Sequence, residues 1–85
     1  MNLDEINQHL ANLINSGDQQ FANAANFVQQ VLQQIHTGQM SGSEAQEVLQ
    51  DVQRQMEIIQ DMNQMSYKET LNTVINGVIT LASAL

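Results

Sequence analysis

The sequence has no cysteine, no proline and no tryptophan, and its only bases are Arg54 and Lys68, against nine acids. Without thiols there is no disulfide, no thiolate metal site and no cysteine nucleophile. Two cations cannot neutralise a ladder of phosphates, so a net charge of −7 argues against both nucleic acid and anionic membrane surfaces as partners. Long apolar runs are missing too. The uncharged stretch after Glu69 is interrupted by Asn72, Asn76 and several Thr, and it falls short of the ~20 apolar residues that a bilayer crossing needs. The opening "MNLDEINQHLANLINSG" has neither the basic start nor the unbroken apolar core of an export signal. No membrane association and a cytoplasmic location are therefore expected.

Amide is what the chain has in quantity. Fourteen Gln and nine Asn supply most of its polarity, while charged residues make up only 13%. Such a bias can mark disorder, but here the apolar residues between the amides recur at helical spacing. One small all-α domain over residues 1–85 is expected, a bundle of about four helices at roughly 3–15, 18–37, 42–64 and 67–84. A chain of this size buries only about 60–65% of its unfolded surface, so help from a partner is plausible.

The first helix is capped by Asn2, carries Asp4 and Glu5 in its first turn, and aligns Leu3, Ile6, Leu10 and Leu13 before stopping at Gly17. The second sets Phe21, Ala24, Val28, Val31, Leu32 and Ile35 against an amide face and ends at Gly38. "SGSE" starts the third, with Ser41 and Glu44 as a capping box and Met40 and Ala45 placed as a hydrophobic staple. A second box, Ser66 to Glu69, is expected to open the fourth. Only "TVINGVIT", rich in β-branched residues, offers a strand any competition.

Advancing 100° per residue separates the faces. In the third helix Ala45, Val48, Leu49, Val52, Met56 and Ile59 form the core stripe, and Glu47, Asp51, Arg54, Glu57 and Asp61 lie opposite. Ile58, Met62 and Met65 fall outside that stripe, which makes them either a bend over the helix end or an adaptable docking surface. In the fourth helix Leu71, Val74, Ile75, Val78, Ile79, Leu81, Ala82 and Leu85 cover a sector of about 160°, wider than a small core needs. The reverse side, with Thr70, Thr73, Gly77, Thr80 and Ala84, is uncharged and small enough to let another backbone approach. An interface built from Ile58, Met62, Met65, Thr73, Gly77, Val78, Thr80, Leu81 and Leu85 follows as an expectation.

No catalytic, cofactor-binding or metal-ligating set is recognisable. Glu44, Glu47 and Asp51 share a face, yet no His accompanies them, and a solvated acidic surface explains them. His9 and His36 sit on different helices without metal-ligand spacing, and the serines read as caps and turn residues. No enzyme, cofactor or metal is expected. The leading reading is a structural or assembly subunit, a homo-oligomer or a piece docked on a larger particle. A small acidic adaptor or inhibitor for one protein partner is the alternative, and an acidic mimic of nucleic acid ranks third, because nine acids are thin cover for a phosphate ladder.

Residues 35 to 85 resemble small helical accessory or virion proteins of tailed bacteriophages. In these a Gly-x-hydrophobic-Ser-x-x-Glu start, here Gly38, Met40, Ser41 and Glu44, leads a long helix and then a shorter apolar one. The resemblance implies particle assembly and a place in the host cytoplasm or the virion. It carries no functional residue over to this chain.

Overall fold

The computed structural model describes residues 2–59 and 62–84. These form four α-helices, α1 (Leu3–Ile14), α2 (Gln19–His36), α3 (Gly42–Glu57) and α4 (Met65–Ser83), and a single 3-10 turn (Met62–Gln64). No strand occurs among the described residues, "TVINGVIT" included.

Local chemistry sets most of the ends. The Asn2 Oδ1 accepts the Glu5 amide at 2.8 Å and caps α1. Ser41 Oγ accepts the Glu44 amide at 3.2 Å, and its hydroxyl donates to Glu44 Oε1 at 3.1 Å, so serine and glutamate hold each other at the start of α3. Past the end of α2, Gly38 adopts φ +79. There the Gln39 amide donates to Gln34 O and the Gly38 amide to Ile35 O, the paired bonds of a Schellman motif that only a left-handed residue closes. Gly17, at φ +86, turns the chain after α1.

The second reversal departs from the sequence expectation. α3 ends at Glu57, with Ile58 as its C-cap, where the apolar period suggested continuation to about 64. Asp61 lies outside the described residues. Ile59, on the expected core stripe, is still buried just beyond the helix end, and Lys68 Nζ donates to its carbonyl at 3.3 Å. The expected Ser66–Glu69 cap is not formed either. The 3-10 turn runs directly into α4, Gln64 at the N-cap has helical rather than extended dihedrals and makes no capping bond, and Ser66 lies inside the helix with its carbonyl accepting the Thr70 hydroxyl.

α3 and α4 fold back on each other, and the Cα radius of gyration of 12.1 Å is that of a fully collapsed chain of this length, about 12 Å. α4 is the hub: it packs on α1, α2 and α3, whereas the backbones of α1 and α3 do not approach closely and α2 meets α3 only sparsely. Leu71, Val74, Ile75, Val78 and Ala82 of α4 are buried against Ile6, Leu10 and Leu13 of α1, Phe21, Ala25, Val28 and Val31 of α2, and Ala45, Leu49, Val52 and Met56 of α3. Tyr67 packs its ring on Phe21 with centroids 5.7 Å apart.

Amides act as cross-links around this core. Gln46 Nε2 donates to Ser83 Oγ at 2.6 Å and Gln53 Nε2 to Asn76 Oδ1 at 2.9 Å, joining α3 to α4. Asp18 ties the start of α2 to the turn before α4. One carboxylate oxygen accepts the Gln20 and Phe21 amides at the start of α2, and the other accepts Gln64 Nε2 at 2.8 Å. The bond from Gln64 is the main reason its pKa falls below the ordinary carboxylate value; slight desolvation opposes it, and the two backbone amides add to the lowering. A depressed folded-state pKa means that the stabilisation is complete above the unfolded pKa, near 4, and is lost as pH falls through the lower folded value. Asp18→Ala should therefore melt at a lower temperature than wild type at neutral pH, and thermal denaturation should show that gap closing as the pH drops below about 4.

Candidate functional site

Most side chains on this molecule are either core or solvated amide, so a functional surface must be sought among apolar groups left outside. Large hydrophobic residues remain exposed at Leu3, Phe27, Ile58, Met62, Met65 and Leu81. They belong to different regions, each framed by helices that meet imperfectly.

The first region is the seam between α2 and α3. Its sparse contact leaves an open groove of about 740 Å³ whose floor is Ala24, Val48, Val52 and Met56. Phe27, 37% exposed, stands on the α2 side, and Ile58, 79% exposed, stands at the end of α3. Met62, in the turn that follows, is 87% exposed, and Met65 opens α4. Gln20 and Asn23 edge the α2 wall, and Asp51 edges the α3 wall.

The second region is formed by α1, the C-terminal half of α2 and the last turns of α4. A groove of about 660 Å³ is lined there by Leu32, Ile35, Leu81 and Ala84, with Leu3 at its rim 46% exposed and Leu81 37% exposed. Asn7, Gln29, Gln33, His36 and Thr37 complete the lining, so no acid, lysine or arginine enters it. In a chain with nine acids this is a locally uncharged surface.

The residues expected at an interface are thus dispersed. Ile58 joins the first groove and Leu81 the second. Val78 is fully buried and cannot meet a partner without unfolding, which corrects its inclusion: the wide apolar sector of α4 is filled by three helices of the same chain. Gly77 is half-buried. Thr73 and Thr80 are exposed, but their hydroxyls donate to the Glu69 and Asn76 carbonyls of their own helix at 2.9 Å each. Leu85 lies outside the described residues. Phe27 was missed because it flanks the stripe of α2; Leu3 was assigned to the core because it continues the stripe of α1 by one turn. The periodicity could have flagged Phe27, which lies about 240° around the helix from Phe21.

Chemistry-bearing groups do not converge. Among the described residues no three His, Asp or Glu side chains gather closely enough to hold a metal ion. Glu44, Glu47 and Asp51 are exposed along α3, and Asp51 pairs with Arg54 at 2.7 Å across one helical turn. The Asn72 Oδ1 is buried without a hydrogen-bond partner, while the rest of its residue is half-exposed. No helix among the described residues is long and apolar enough to cross a membrane. No family model, curated protein or solved structure matches the chain.

Proposed function

We propose that this protein is a non-enzymatic assembly subunit that associates with further copies of itself, as part of a larger protein particle, through the uncharged groove where α1, α2 and α4 meet. The supporting observation is the pairing of exposed Leu3 and Leu81 with an apolar lining free of acids and of lysine or arginine. Contact through the acidic back of α3 would set like charges against each other, each chain carrying a net charge of −7. Like-charge contact opposes association, whereas burying apolar surface favours it by about 25 cal/mol per Å². The resemblance of residues 35 to 85 to tailed-bacteriophage accessory proteins suggests the setting, a virion or an assembly intermediate in the host cytoplasm.

Light scattering across a concentration range tests the reading. The mass of the wild-type chain should rise with concentration, and Leu3→Glu with Leu81→Glu should hold it at the monomer while leaving helicity intact, because both positions are exposed. A wild-type chain that stays monomeric at high micromolar concentration would refute self-assembly.

A further inference from the structure

The groove between α2 and α3 has two unlike walls. α2 contributes Gln20, Asn23 and Phe27 and has no acid, lysine or arginine from Gln19 to His36. α3 contributes Asp51 and Gln55, and the exposed Glu44 and Glu47 share the helix face of Asp51, with Arg54 as the one base of the helix. That base already pairs with Asp51, and exposed i,i+3 pairs of this kind are weak enough to exchange readily. Between the walls the floor is apolar, and Phe27 and Ile58 stand out of it as large uncovered side chains.

We propose that this groove is a docking site for an amphipathic helix of a different protein. The apolar face of that helix seats against Phe27, Val48, Val52 and Ile58, and its Lys/Arg flank lies along the acidic wall of α3. The shape favours a helix over a small molecule: the trough is open rather than enclosed, and apolar anchors spaced along a groove are how an amphipathic helix is read. The α3 side of the groove runs from Val48 to Ile58, about 15 Å, enough wall for roughly three turns of a guest helix. Charge selects the partner. A second copy of this chain has only two bases, Arg54 and Lys68, to set against its own nine acids, so the cations must come from elsewhere. This site is separate from the groove proposed for self-assembly, and the two readings stand or fall independently.

The test uses the full chain and two synthetic peptides of about 14 residues with the same leucines at i, i+3, i+4 and i+7, one flanked by lysine and one by glutamate. Fluorescence anisotropy at a protein concentration where the mass is constant should show the lysine peptide binding at least about tenfold more tightly than the glutamate peptide, with that preference shrinking at high salt. Phe27→Ser with Ile58→Ser should weaken the lysine peptide by about tenfold or more at unchanged helicity. Asp51→Lys should narrow or reverse the preference between the two. Failure of the lysine peptide to bind, equal binding of both peptides, or indifference to the Phe27 and Ile58 changes would overturn the proposal. So would a self-association of the peptide-free chain that Ile58→Ser abolishes, since the occupant would then be a second copy. Failure of self-assembly in the light-scattering experiment leaves every one of these peptide results readable.

Discussion

Val78→Asp should leave the chain largely unfolded. Val78 is wholly buried on the helix that packs against all three others, so a carboxylate there has no water and no cation to meet. The loss of a buried valine and the burial of an unpaired acid together cost several kcal/mol. A domain of this length has about 4–13 kcal/mol of total stability, so the substitution removes a large part of the margin or all of it. Far-ultraviolet circular dichroism should report the collapse of helicity. Thr73→Asp is the control, because Thr73 sits on the exposed side of the same helix and receives the same charge; it should retain nearly the wild-type helix signal and melt only slightly earlier. If Val78→Asp keeps full helicity, α4 does not hold the core together.

Gly42→Ala comes second in size and runs against intuition. Alanine favours helix over glycine by up to about 1 kcal/mol, and Gly42 is the first residue of α3, so propensity alone forecasts a more stable protein. The packing forecasts the reverse. A Cβ on Gly42 would sit 2.6 Å from the Ala82 carbonyl oxygen and 3.4 Å from its carbon, both backbone atoms that no side-chain rotation can move aside. Forcing α3 away from α4 at this point disturbs the bond between Gln46 and Ser83 one turn along and costs about 1–3 kcal/mol by overpacking. Thermal denaturation should place Gly42→Ala below wild type. A higher melting temperature would mean that the N-terminus of α3 is free to move off α4.

These two sites show what a linear reading can and cannot see. Helix identity was legible because apolar period, caps and glycine stops agree: Asn2, Ser41 and Gly38 act where local rules place them. The position of the break between α3 and α4, expected near Ser66, was not, since no glycine or proline marks where α3 stops and Ile59 is buried whether the helix continues or not. The glycine of close approach was sought at Gly77, inside an uncharged helix, but the tight contact is at Gly42, whose place in "SGSE" looked like nothing more than cap chemistry. Periodicity reports which side of a helix is apolar; it does not report which neighbour arrives there.

The same limit explains the uncharged C-terminal segment. Its breadth suggested an association surface, yet three intramolecular neighbours use it, and the leftover hydroxyls of Thr70, Thr73, Thr80 and Ser83 donate to carbonyls of their own helix. Ile58 and Met62 fall outside the stripe of α3, which left open whether a bend would cover them or a docking surface would expose them; both are exposed. The grooves were not legible, because each needs partners from separate helices, Phe27 for one and Leu3 for the other.

That α4 completes its core within one chain, leaving only rim residues such as Leu81 for partners, is tested most directly by amide hydrogen exchange measured at high and at low protein concentration. The amides from Leu71 to Ala82 should be among the slowest to exchange and should keep the same protection after dilution to the monomer, since their neighbours come from α1, α2 and α3 of the same molecule. Protection of this segment that collapses on dilution would mean that α4 is buried between chains, and would contradict the account.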